Sequence, residues 1–150
     1  MGFLNTIDIS ATGLTAQRLR MDTIASNMAN IETTRTQNGQ GPYRRQIVLF
    51  EAVKPAAGKK FGRVLDAELA KMRGVRVADI RELSPEESPF RRVYDPSHPD
   101  ADADGYVNYP NVNVVEEMVN MISATRSYEA NSKVIEATKA MAAQALTIGQ

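Results

Sequence analysis

The chain has no cysteine, which excludes disulfides, thiolate catalysis and cysteine-based zinc sites. It has one histidine, His98, so no two-histidine metal site can form within one chain. Basic and acidic residues balance at 18 each. The basic excess with which nucleic-acid binders displace phosphate counterions is therefore missing. The balance is uneven along the chain: residues 1–99 hold 15 basic and 11 acidic groups, and residues 100–150 hold 3 and 7. That asymmetry favours head-to-tail contacts only weakly. No apolar run approaches the ~18 residues that span a bilayer. The first residues, Met1-Gly2-Phe3-Leu4-Asn5-Thr6-Ile7-Asp8, lack the basic and apolar regions of a cleavable secretory signal. Met1 to Thr6 fit an N-myristoylation pattern, but the pattern is short, nothing else suggests a lipid anchor, and an ordinary helix start is the preferred reading. The expectation is a protein without metal, cofactor, nucleic acid or direct membrane insertion, and without enzymatic activity.

Proline is also missing where it would matter. All seven prolines lie between Pro42 and Pro110. Proline breaks helix interiors, so both ends are free to form long helices and the middle is not. In the N-terminal segment Leu4, Ile7, Ala11, Leu14, Arg18, Met21, Ala25 and Met28 follow alternating steps of three and four, with Arg18 the one break. Ile24 and Ile31 widen that face. This is the period of a helix lying along another helix. The pattern stops near Asn30, and Thr33 to Pro42 reads as loop. Toward the other end, Asn113 stands three residues before Glu116, like a capping box. Met118, Ile122, Thr125, Tyr128, Ser132, Ile135, Ala142 and Leu146 then make a second stripe, with a slip near Tyr128. A helix from Val114 to Ile148 would be roughly 50 Å long.

The middle reads as short strands: Tyr43 to Val53, Val75-Arg76-Val77, Arg92-Val93-Tyr94 and Tyr106 to Tyr109, punctuated by Pro85, Pro89, Pro96 and Pro99. Lys54 to Gly74 reads as a loop with a helical turn or two. The fold class expected is α+β. Residues 1–34 form an N-terminal helix, 35–111 a β-rich insert with a variable loop at 54–74, and 112–150 a C-terminal helix. The stripe of large side chains at each end offers too little burial to offset the ordering of an isolated helix. The terminal helices are therefore expected to dock on other chains through Leu4, Ile7, Leu14, Met21, Ile24, Met28, Ile31, Met118, Ile122, Tyr128, Ile135 and Leu146.

Several motifs carry a sharper reading to weigh. Asp100-Ala101-Asp102-Ala103-Asp104-Gly105 copies the first half of a calcium loop, and a secreted calcium-binding interaction module is the alternative function. An EF-hand needs a bidentate Glu at loop position 12, however; Asn111 stands there, Pro110 precedes it, and Pro96 and Pro99 occupy the entering helix. A solvated acidic turn is the simpler reading. Ser97 beside His98 cannot converge as a catalytic pair. Gly39-Gln40-Gly41 lacks the Lys-Ser/Thr of a phosphate loop. Arg44-Arg45 and Arg91-Arg92 read as solvated strand residues.

One resemblance is specific. Ala25-Ser26-Asn27-Met28-Ala29-Asn30 followed by Glu32-Thr33-Thr34 resembles the signature of flagellar rod and hook axial proteins. Gly41-Pro42-Tyr43-Arg44-Arg45, Val93-Tyr94-Asp95-Pro96-Ser97-His98-Pro99-Asp100-Ala101-Asp102, Gly105-Tyr106-Val107, Pro110-Asn111-Val112-Asn113 and Glu116-Glu117-Met118 extend it over almost the whole chain, with 54–74 least alike. The signature residues are Asn27, Asn30, Thr33, Pro42, Tyr43, Tyr94, Asp95, Pro96, His98, Pro99, Gly105, Tyr106, Pro110 and Asn111. The resemblance implies a structural subunit of the bacterial flagellar basal body, one that stacks helically into the rod and carries torque from the membrane rotor to the hook. It implies terminal helices forming a coiled-coil inner tube, with the insert facing outward. It further implies partners: other rod proteins, copies of the same chain, the junction protein between membrane ring and rod, and the flagellar type III export apparatus, which exports without a cleaved signal. Phe3 and Ile7 resemble that apparatus's Phe-x-x-x-apolar motif, and they serve equally as helix-stripe residues.

Overall fold

A computed structural model of the chain describes residues 3–36, 41–53 and 74–148. Its elements follow in the order α1 (Phe3–Ala29), β1 (Gln46–Ala52), β2 (Val75–Glu82), β3 (Arg91–Tyr94), β4 (Tyr106–Tyr109) and α2 (Val114–Ile148). The fold is α+β, with long terminal helices around two small sheets, β1–β2 and β3–β4. Most of the expected loop, residues 54–73, lies outside the described residues. The second strand runs five residues past the Val75–Val77 alternation to Glu82. No helix among the described residues is long and apolar enough to cross a membrane.

The helix ends are where the side chains dictate. Asn113 is the N-cap of α2: its Oδ1 accepts from the backbone N–H of Val115 at 3.0 Å and of Glu116 at 3.4 Å. These are the orphan donors that a cap satisfies. At the end of α1, the Asn30 backbone N–H donates to the Ser26 carbonyl at 3.1 Å and its side-chain amide donates to the same carbonyl at 2.9 Å. The Thr33 hydroxyl then donates to Asn30 Oδ1 at 3.1 Å, which turns the chain out of the helix.

The chain divides into two compact units, each taking part of both helices. The first contains Met1–Leu19, Leu49–Asp79 and Ala124–Gln150. Here α1 and α2 meet at small residues: a Cβ on Gly13 would lie 3.1 Å from the Asn131 side chain. Ala16, Ala124, Ser10 and Thr138 are buried. The Thr12 hydroxyl donates to the Ile9 carbonyl at 2.6 Å and accepts from the Val75 N–H at 3.1 Å, which fastens β2 to α1. The chain passes so close here that a Cβ on Gly74 would be 1.9 Å from Thr12 Oγ1, so only glycine fits.

The second unit contains Arg20–Val48 and Ile80–Ser123. Its apolar core is small: Ile24, Val107 and Val112 are buried, and Pro110 is buried beside Val112 in sequence. β3 and β4 pair antiparallel, Arg91 opposite Tyr109 and Tyr94 opposite Tyr106. The turn between them closes on Gly105, whose φ of 77° suits glycine and whose Cβ would meet the Tyr94 ring at 3.0 Å.

Candidate functional site

Two features of the second unit bear on function: a buried polar junction and an exposed apolar helix face. The junction is built on Asn27, 1 % exposed, near the end of α1, and Glu117, also 1 % exposed, in the first turn of α2. Asn27 treats the entry to β1 as a strand neighbour would. Its Nδ2 donates to the Gln46 carbonyl at 2.9 Å and its Oδ1 accepts from the Gln46 N–H at 2.9 Å. The same Oδ1 accepts from the Tyr43 hydroxyl at 3.0 Å, and Nδ2 also donates to Glu117 Oε2 at 3.2 Å.

Arg45 completes the junction from the insert. Its Nε donates to Glu117 Oε1 at 2.9 Å, and its Nη2 reaches Glu117 Oε1 at 2.5 Å and Glu116 Oε1 at 2.7 Å. Burial opposes the guanidinium charge, but hydrogen bonds to Glu116 and Glu117 and the field of both carboxylates outweigh it and raise the Arg45 pKa. Burial likewise pushes the Tyr43 hydroxyl up, with the Ser26 hydrogen bond partly opposing and the Glu82 and Glu117 charges adding to the rise. Arg20 and Asn120 make a further contact between the helices at 3.3 Å. Partners later in α1 meet partners earlier in α2, so the helices run antiparallel.

The reading of Arg44 and Arg45 as solvated strand residues is corrected by this geometry. Arg45 precedes β1 and is held in an ion pair with a buried carboxylate. The Arg44 guanidinium lies 4.6 Å over the Phe90 ring, a cation–π contact. Sequence reasoning also missed Glu117. The signal was present in a single acidic pair standing in the run Val114-Val115-Glu116-Glu117-Met118-Val119, opposed by a basic pair at the head of a strand.

The second feature is the outward side of α2. Val115 is 69 % exposed, Met118 51 %, Val119 61 % and Ile122 59 %. Of the residues expected at an assembly interface, Met118, Ile122, Tyr128 and Leu146 are exposed on α2, and Leu4 on α1. Ile7, Leu14, Met21, Met28, Ile31 and Ile135 are half-buried. Ile24 is packed inside its own unit. Phe3 opens α1 and its side chain lies outside the described residues.

The remaining signature residues shape the turn from β3 to β4. Asp95 accepts from the Ser97 hydroxyl at 2.6 Å and the Ser97 N–H at 3.1 Å, and these two bonds lower its pKa. His98 Nδ1 accepts from the Asp100 N–H at 3.1 Å. Tyr94 and Tyr106 meet edge to face at 5.3 Å, and Pro96 packs where a Cβ on Gly105 would go. The acidic turn is engaged by side chains of its own chain: Asp100 accepts from the Thr34 hydroxyl at 2.7 Å and pairs with Arg35. Asp102 accepts from the backbone N–H groups of Asp104 and Tyr106 and pairs with Arg92 at 3.0 Å. Among the described residues no group of three or more acidic, histidine or cysteine side chains gathers as a metal site. Pro42 is half-buried and Asn111 exposed.

Comparison with known proteins gives these features a setting. A family described as "Flagella basal body rod protein" matches residues 7–36, which cover most of α1 and its exit. A second, "Flagellar basal body rod FlgEFG protein C-terminal", matches residues 103–148. Among curated relatives, the flagellar basal-body rod protein FlgC of Borreliella burgdorferi is 48% identical over all of this chain and 99% of its own length. FlgC of Bacillus subtilis is 43% identical and FlgC of Escherichia coli O6:H1 is 44% identical, each with both chains covered in full.

Proposed function

Because the chain belongs to the FlgC family of flagellar basal-body rod proteins, we propose that it builds the proximal rod by docking the outward face of α2 on neighbouring subunits. It is a structural rod subunit serving motility. The observation that carries the docking reading is the run Val115, Met118, Val119 and Ile122, all more than half exposed on one stretch of helix. Burying the exposed half of each would contribute on the order of 4 kcal/mol per contact, from ~1.5–3 kcal/mol for full burial of one such side chain. In a helical assembly that gain recurs at every subunit.

The partners in this reading are other rod proteins, further copies of the chain and the membrane-ring junction protein. The terminal helices line an inner tube, the β-rich insert faces outward, and the stack transmits torque from rotor to hook. Export proceeds through the flagellar type III apparatus without signal cleavage, and the start of α1, with Phe3 and Ile7, is the segment recognised.

Ile122→Asp tests the docking face. A carboxylate carried into a dry helix contact costs several kcal/mol when unpaired, while in the separate chain Ile122 is exposed and the change is tolerated. Cells carrying Ile122→Asp should make the protein and fail to swim, with rods absent from purified basal bodies. Lys133→Glu, on an exposed residue outside the apolar run, should swim. Normal swimming of the Ile122→Asp strain would overturn the proposal.

A further inference from the structure

We propose that Asn27 and Glu117 are register pins, each fixing one terminal helix to the same two residues of the insert and together selecting one axial register of α2 against α1. Asn27 holds both backbone groups of Gln46, and Glu117 holds the guanidinium of the adjacent Arg45. The two helices are thus tied to neighbouring points of one segment, and their mutual height is set there. The inference is independent of what docks on the outer face.

A pin is needed because the seam repeats. Glu117, Ala124, Asn131 and Thr138 are spaced by seven; the first, second and fourth are buried, and Asn131 meets Gly13. On α1, Gly13, Arg20 and Asn27, also spaced by seven, each meet α2. A slide of one heptad, about 10 Å at 1.5 Å per residue, brings each seam position onto the next. Ala124, Asn131 and Thr138 offer no large apolar knob to oppose it. At these positions shape discriminates poorly between registers, and the buried charge discriminates strongly. Any slide would strip Glu117 of Arg45 and Asn27 and leave a carboxylate buried without a partner. Polar residues set register in helical seams for this reason.

The test separates register from stability. The chain has no cysteine, so Asp22→Cys and Val119→Cys, at exposed positions of the same unit, can carry spin labels. Electron–electron distances in the otherwise unaltered full chain should show one narrow population. Arg45→Met/Glu117→Met removes the α2 pin while keeping length and apolar bulk. It should retain parent-like helicity by circular dichroism, with a broadened distribution or a second population displaced by the projection of a ~10 Å axial slide. Glu117→Gln keeps hydrogen-bonding atoms at the junction but removes the charge that makes a slide costly, so it should broaden the distribution less than the double-methionine variant; a broadening as large would overturn the proposal. A parent-like distance in the double-methionine variant overturns the proposal. So does loss of its helicity, because the junction would then supply stability rather than choice of register, and so does a broad distribution in the parent.

Discussion

Asn27→Ala probes the junction most directly, because one short side chain makes four hydrogen bonds there. Two of its partners have an alternative once it is gone: the Tyr43 hydroxyl already faces Ser26 Oγ at 3.4 Å, and Glu117 keeps Arg45. The Gln46 N–H and carbonyl each lose the bond that Asn27 makes to them. A buried polar group left unsatisfied costs about 1–3 kcal/mol. Two such groups and the lost packing place the expected loss at roughly 3–4 kcal/mol, a large part of the ~5–15 kcal/mol that holds a domain folded. Asn30→Ala, three residues on, removes bonds only to Ser26 and Thr33 at the helix exit and should cost about 1 kcal/mol, the scale of one hydrogen bond. Urea denaturation of both variants, followed by circular dichroism at one pH, measures the difference as a shift of midpoint at constant slope. An Asn27→Ala loss no larger than that of Asn30→Ala would refute the account of the junction.

The raised pKa of Tyr43 predicts an alkaline limit on stability. Above the ordinary tyrosine value of about 10 the unfolded chain releases this proton first, so the folded state binds more protons and stability falls as pH rises toward the folded value; Tyr43→Phe should flatten that fall in denaturation midpoints taken between pH 8 and 11, and an unchanged slope would count against burial as its cause. Gly105→Ala should cost about 1–2 kcal/mol, since it forces a positive φ on an L side chain and drives a methyl group against Tyr94 and Pro96; a thermal midpoint equal to the parent's would show that this turn relaxes.

The parts of the fold that were legible in the sequence are those whose signal is local. The absence of proline outside Pro42 to Pro110 marked both helices, and the Asn113–Glu116 spacing located the start of α2 to the residue at which Asn113 caps it. Tyr106 to Tyr109 was readable as a strand candidate, and in the structure Val107 is its buried residue. The junction was not legible, because nothing local distinguishes Arg45 from a solvated arginine. Its partner lies 72 positions away, and the pairing exists only once α1, α2 and the strand entry converge. The signature Ala25 to Asn30 was legible as a resemblance, but its physics is structural. Asn27 acts as a surrogate strand neighbour and Asn30 as a helix stop.

Hydropathy periodicity also misleads about which side of α2 packs on its own chain, and the reason bears on function. The stripe through Met118 and Ile122 has the spacing of a packing face, yet both are more than half exposed. Among the described residues, the positions buried on α2 are Glu117, Ala124 and Thr138. Size and hydrogen bonding, rather than apolarity, select that inner face: alanine lets a neighbouring backbone approach, Thr138 returns its hydroxyl to the Val134 carbonyl at 2.7 Å, and Glu117 is neutralised by Arg45. An inner seam of this kind uses little of the helix's apolar surface. The large apolar side chains remain available on the other side, and water is a poor environment for them. A chain folded in this way has its hydrophobic contribution still to make, and in the proposed assembly it makes it when the outer face is covered by another subunit. The proposed order of events follows from this: the polar junction organises a single chain without consuming the apolar stripe, which is left free to drive the proposed association.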